Sequence, residues 1–204
     1  MSTHALLAFL IFAVTTSITP GPNNILLMSS GVNHGFRATL PHMLGVAAGF
    51  AVLLLATGWG LTALFAKMPW IHGVMKWLGV AYFLYLAWRL ATAPIIPMHV
   101  SSLVGRHPPA WRFGDGFAFQ FINPKGWLMA AGAFSSYLPT GNPALTTAAA
   151  LGFALIAMPC FALWVSFGSG LRQFLERGQR RRVFNVAMAG VLLASLAPLL
   201  LLPD

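Results

Sequence analysis

Six long apolar stretches limit this chain more than any other feature. They cover residues 5–30, 38–65, 70–93, 113–138, 143–169 and 183–202. A helix that crosses a bilayer needs about 20 mostly apolar residues, and each stretch meets that length. Hydrocarbon admits only elements that satisfy their own backbone hydrogen bonds, which for such runs means α-helices. The expectation is an all-α polytopic membrane protein of six transmembrane helices. Charge content supports it. Three acidic and twelve basic residues serve 204 positions, 7% charged in all, where a soluble domain carries about a quarter.

The connections are short except for residues 92–112, which hold Pro94, Pro97, Pro108 and Pro109. That segment divides the chain into a first three-helix repeat (1–93), a cytoplasmic linker (94–112) and a second three-helix repeat (113–204), within one transmembrane domain. Three helices is an odd number, so the two repeats insert with opposite orientation. Basic residues are unevenly distributed. Arg37, Arg89, Arg106, Arg112, Arg172, Arg177, Arg180, Arg181 and Arg182 sit at the odd-numbered loops, against Lys67 and Lys76 at the second. Excess Lys and Arg marks the cytoplasmic side, which predicts that both termini are periplasmic. The run Arg180, Arg181, Arg182 reads as a topology anchor on anionic headgroups, not as a nucleic-acid site. The apolar N-terminus lacks the basic start and cleavage site of a signal peptide and is expected to stay as the first helix.

The first stretch is interrupted at Ser17-Ile-Thr-Pro-Gly-Pro-Asn-Asn-Ile25. Pro20 and Pro22 have no N–H and clash with the carbonyls of Thr16 and Ile18. The helix should stop near Ile18 and restart at Pro22, since proline suits the first helical position. Irregular backbone at that depth survives only when buried in protein or facing a watery cavity. The restart aims the N–H groups of Asn23, Asn24 and Ile25 out of a positive helix end, which binds anions such as carboxylates. The carbonyls freed on the other side of the break accept from an ammonium. Donors and acceptors so close together suit a zwitterion.

The fourth stretch repeats the device at Asn123-Pro124, an asparagine that caps followed by a proline at the first position. Pro124 frees the carbonyl of Gln120. Lys125 follows inside the span, at a cost of about 2.5–3.5 kcal/mol at a helix centre. Paired interruptions at corresponding positions of two halves point to a transporter's binding site. Thr19, Pro20, Gly21, Pro22, Asn23, Asn24, Gln120, Asn123, Pro124 and Lys125 are therefore the candidate substrate-binding residues.

These motifs carry a family likeness. Thr19-Pro-Gly-Pro-Asn23, then Gly31-Val-Asn-His-Gly35 with Arg37, then Gly45 and Gly49, together with Phe121-Ile-Asn-Pro-Lys125, resemble the lysine exporter and homoserine/threonine exporter family (LysE/RhtB) over nearly the whole chain. The resemblance implies a bacterial inner-membrane exporter of amino acids or close derivatives, driven by the proton motive force. It also implies that residues 20–23 and 123–125 line the route.

Acids are few. Asp115 is the one carboxylate near a span, because Glu176 falls in a loop and Asp204 ends the chain. It is the candidate for proton coupling, although its place at a helix N-terminus beside Arg112 suits a structural role better. It lies ten residues from Lys125, about 15 Å along a helix, too far to pair. A cationic substrate side chain would want a buried carboxylate, so small neutral amino acids (threonine, homoserine or a cysteine-like compound) are favoured. The alternatives are an exporter of basic amino acids and a non-transport accessory subunit.

The lone Cys160 excludes an internal disulfide and is expected to be buried and inert. His4, His34, His42, His72, His99 and His107 show no i, i+4 pairing, so no metal or cofactor is expected. An enzyme would need acids or paired histidines in the spans. His34 and His42 bracket the first loop, with proton relay a minor role. Gly45-x-x-x-Gly49 allows close helix approach, inside one subunit more readily than in a dimer. Monomer and homodimer both stay open. Trp70, Trp77, Trp111 and Trp127 include interface residues. Expected partners are a small amino acid, protons and lipid, with no nucleic acid.

Overall fold

The computed structural model describes residues 3–60, 67–68, 70–95, 111–138, 141–176, 179–197 and 200. Most of the linker, with Pro97, His99, Arg106, His107, Pro108 and Pro109, lies outside them, as do Arg177 and Asp204. Eight helices make up the described residues: α1 (Thr3–Ile18), α2 (Pro22–His34), α3 (Phe36–Gly58), α4 (Trp70–Ala91), α5 (Phe113–Ile122), α6 (Pro124–Ser136), α7 (Pro143–Leu175) and α8 (Arg180–Ala194).

Both predicted breaks are present. α1 stops at Ile18 and α2 restarts with Pro22 in its first turn, and the two axes bend by 52°. Asn123 separates α5 from α6, and its side chain accepts from the Lys125 N–H at 3.2 Å, the expected cap. α2 and α3 are joined by Gly35 alone, whose φ of +83° is a conformation that favours glycine.

By length and apolarity, α3 and α7 each qualify as spanning helices, and the bent pair α1–α2 qualifies when taken as one. That makes two or three spans among the described residues, fewer than the six expected. α8 is 15 residues long where a longer final span was expected, and residues 201–204 lie outside the described set. α5 and α6 are short because the break divides them. α4 has the length, but Lys76, Arg89 and its tryptophans dilute its apolar character. α7 runs 33 residues, six beyond the expected stretch, because nothing between Ser169 and Leu175 stops a helix. At 1.5 Å per residue it is about 50 Å long, well over the roughly 30 Å of hydrocarbon.

Two apolar clusters hold the bundle. One joins α1, α3, α6 and α7 through Phe9, Ala13, Phe50, Leu53, Ala130 and Phe153. The other joins α2, α4, α5 and α8 through Leu26, Phe83, Leu86, Phe119 and Leu192. The outer surface is apolar too, with Leu7, Ile11, Trp77, Trp88, Leu155 and Phe167 exposed, as contact with lipid tails requires. Trp70 shares that exposure, but Trp111 is 5% exposed and belongs to the second cluster, not to an interface. Arg181 also departs from the headgroup reading. Its side chain is 2% exposed and pairs with Glu176 at 3.3 Å, because the residue falls on the face of α8 turned into the bundle.

Glycine sets the tightest crossings. A Cβ on Gly45 would stand 2.0 Å from the Phe113 carbonyl oxygen, and one on Gly49 would stand 2.6 Å from that of Phe117. The Gly45–Gly49 pattern therefore seats α3 on α5 within one subunit. Gly31 and Gly168 do the same for α2 against α7, at 2.5 Å from the Val165 oxygen and 2.1 Å from the Met28 oxygen.

Candidate functional site

The two breaks meet. Asn23, one residue into α2, and Gln120, near the end of α5, form a reciprocal amide pair across the junction. Asn23 Nδ2 donates to Gln120 Oε1 at 2.9 Å, and Gln120 Nε2 donates back to Asn23 Oδ1 at 3.0 Å. Gln120 Nε2 also donates to the Gly116 carbonyl at 2.9 Å, which fixes its rotamer. Lys125 crosses in the other direction. Its Nζ donates to the Thr19 carbonyl at 2.9 Å and reaches the Pro20 carbonyl at 3.5 Å. The sequence pointed to the carbonyls of Thr16 and Ile18 for an ammonium; the chain's own lysine sits instead on those of Thr19 and Pro20.

The rest of the break is satisfied by nearby side chains. Asn24 Nδ2 donates back across the gap to the Ser17 and Thr19 carbonyls, at 2.8 and 2.9 Å. Trp164 Nε1 caps the Ile18 carbonyl, the one Pro22 leaves free, at 3.1 Å. The second break uses the same chemistry, with Trp127 Nε1 on the Phe121 carbonyl at 2.8 Å. The Thr19 hydroxyl donates to the Thr15 carbonyl. Of the three amides expected to be free, Ile25 is not: it donates to the Gly21 carbonyl at 3.0 Å, the first internal bond of α2. Asn23 and Asn24 remain in the first turn, which has no intrahelical acceptors.

Between the breaks lies a cavity of about 20 Å³, room for one water molecule. Its polar wall is Ser17, Gly21, Asn23, Asn24, Gln120, Asn123 and Lys125, and its apolar wall includes Phe50, Met129, Phe153 and Phe161. Ser17 Oγ and Asn24 Oδ1 are buried there with no hydrogen-bond partner among the described residues. A Cβ on Gly21 would come within 2.9 Å of Lys125 Cδ, so a side chain there would push the lysine off its carbonyl partners. Pro22 and Pro124 sit at the two helix starts. Among the described residues, no carboxylate lines the cavity.

Asp115 stands apart from it. Its carboxylate accepts from the Arg112 N–H at 2.7 Å at the start of α5 and pairs with Arg89 at 3.4 Å. Those bonds serve the structural role considered for it. The Phe and Met walls escaped the sequence reading because an aromatic residue in an apolar run looks the same whether it faces lipid or a pocket. Ser17 was legible in principle, as a small polar residue beside the break.

Two interrupted helices, joined by the Asn23–Gln120 amide pair around a polar hollow in an apolar bundle, are the design of a membrane transport protein. The chain belongs to the LysE type translocator family, which matches residues 14–203. Among curated proteins it is similar to the cysteine/O-acetylserine efflux protein of Escherichia coli, 32% identical over 192 residues, 93% of this chain and 94% of that one. It is also similar to the protein of the same description from Salmonella typhi, 34% identical over 145 residues, 71% of each chain. No solved structure matches.

Proposed function

We propose that this chain exports small neutral amino acids of the cysteine or O-acetylserine kind across the bacterial inner membrane, driven by the proton motive force. The observation that carries this is the pairing of the two breaks, with Asn23 on Gln120 and Lys125 on the Thr19 carbonyl. An α-amino acid presents one carboxylate and one ammonium. The carboxylate meets Lys125 and the first-turn amides of α2. The ammonium meets Ser17 Oγ, Asn24 Oδ1 and the carbonyls that Lys125 releases. Among the described residues no acid lines the cavity to neutralise a cationic side chain, which disfavours basic substrates. The apolar wall suits a short side chain. The descriptions of the relatives as cysteine/O-acetylserine efflux proteins support the same class.

The architecture proposed is six spans in two inverted repeats, residues 1–93 and 113–204, with both termini periplasmic. Part of the packing supports it. Exchanging α1 with α5, α2 with α6, α3 with α7 and α4 with α8 carries the central pairs onto one another, although pairs such as α2–α3, α2–α8 and α4–α5 have no such counterpart among the described residues. α1 lies on α7 as α5 lies on α3, α2 lies on α7 as α6 lies on α3, and the pairs α3–α7 and α4–α8 map to themselves. The cavity is too small for an amino acid, so binding requires its walls to part. Rocking of one repeat against the other does that in transporters of this design.

The test is counterflow in liposomes containing this protein alone. Labelled cysteine, O-acetylserine, threonine, homoserine and lysine are compared. Exchange of the neutral compounds without lysine is expected. Exchange of lysine alone overturns the substrate class. Exchange of none overturns the function.

A further inference from the structure

We propose that His42 carries the proton that drives export, with Asp115 and Arg89 as the charge pair that responds to it. The inference deepens the export reading above and rests on it.

His42 lies on α3 and is 1% exposed. Neither of its ring nitrogens has a well-formed hydrogen bond among the described residues, and the Arg112 backbone offers it only a loose one. A fully enclosed imidazole so poorly partnered is costly for a structural residue and suits one that binds and releases a proton. The groups facing it come from two elements. Asp115 and the Arg112 backbone, at the start of α5, and Arg89, on α4, are within electrostatic reach of the ring. Trp111 packs beside it, with ring centroids 5.9 Å apart.

These groups form a shared system. Arg89 stands 3.4 Å from the Asp115 carboxylate and 4.1 Å from the Trp111 ring centroid. One carboxylate therefore serves one guanidinium while His42 is neutral. When the imidazole takes a proton, two cations compete for Asp115, and the α3–α5–α4 junction has two arrangements to choose between. Asp115 is held by the Arg112 N–H at the start of α5, and His42 is the group to which the proposal assigns the change of charge.

The junction is wired to the cavity through main chain. The His42 carbonyl oxygen packs on Gly116 so closely that a Cβ there would stand 2.5 Å from it. The Gly116 carbonyl accepts from Gln120, and Gln120 pairs with Asn23. From Gly116 to Gln120 is four residues, about 6 Å of helix. A shift of α3 against α5 at His42 thus moves the amide pair that closes the substrate hollow. In one cycle a ring nitrogen of His42 binds one proton from the outside, the zwitterion leaves, and the same proton is released to the cytoplasm. No other bond forms or breaks, and one positive charge enters per neutral amino acid exported.

The experiment uses the full chain in liposomes with a pH-sensitive dye in the lumen and labelled L-cysteine in reducing buffer as the probe. In the wild type, a cysteine gradient drives proton flux in the opposite direction. In His42→Gln, cysteine-driven proton flux is expected to fall at least tenfold, and the cysteine flux that remains no longer responds to an imposed pH gradient. Wild-type proton stoichiometry in a correctly inserted His42→Gln overturns the proposal. If that variant does not fold, the wild type decides: carbethoxylation of His42, read by peptide mass spectrometry, rises severalfold in turning-over vesicles. A ring that stays unmodified during transport never meets water, and the proposal fails. A wild type that exchanges no amino acid at all overturns the export reading instead, and one that exchanges cysteine without moving protons overturns this inference alone.

Discussion

Lys125, on the first turn of α6, places its ammonium 2.9 Å from the carbonyl of Thr19, a residue 106 positions away in the break of the other helix pair. The two motifs most visible in the sequence are thereby in direct contact. An ionic hydrogen bond contributes about 1.5–3 kcal/mol. Lys125→Met should weaken half-saturation for cysteine in counterflow roughly 10- to 150-fold by that measure, and Lys125→Arg should keep part of it. Unchanged affinity in Lys125→Met would remove the lysine from the site.

The amide pair of Asn23 and Gln120 should behave as one unit. Interhelical side-chain bonds in membranes contribute about 0.6–2 kcal/mol. Asn23→Ala and Gln120→Ala should each lower unfolding stability by about that much, and the double variant should lose less than the sum. A thermodynamic cycle in detergent measures the coupling. Strict additivity would mean the pair does not hold the two breaks together.

Close packing at Gly45 yields a stability prediction with an internal control. Overpacking costs about 1–3 kcal/mol, so Gly45→Ala should lower Tm by several degrees, at about 2–4 °C per kcal/mol for a chain of this size. A Cβ on Gly190 would meet nothing within 4 Å, and Gly190→Ala should leave Tm unchanged or raise it. Equal effects at the two positions would contradict the α3–α5 crossing.

Cys160 is 6% exposed on α7, one residue from the cavity wall at Phe161. Maleimide should leave it unlabelled in the folded protein and label it after denaturation, read by intact mass. Rapid labelling of the folded protein would place the thiol outside the bundle.

Much of the site could be read from local chemistry. Proline without an N–H dictates where α1 ends and α2 begins, and Asn123 next to Pro124 dictates the second start. The glycine spacing at Gly45 and Gly49 announced a close neighbour, although only the structure identifies it as α5. What escaped is non-local. Nothing near Asn23 says that its partner lies 97 positions on at Gln120. Nothing near Asn33 points to its reciprocal bond with Asn185, 2.8 Å away on α8. Arg181 read as a surface cation because charge patterning is silent about which face of a helix turns inward. Helix length and apolarity alone pick out two or three spans among the described residues, because each break divides its stretch into two shorter helices.

The one-residue junction at Gly35 ties α2 firmly to α3, whereas α1 meets α2 through several residues of unwound chain. On the binding proposed above, that unwound joint is also the spot that would grip the cargo. A guest molecule lodged there would act as a splint on the hinge it occupies, so that recognition and movement would draw on the same few atoms.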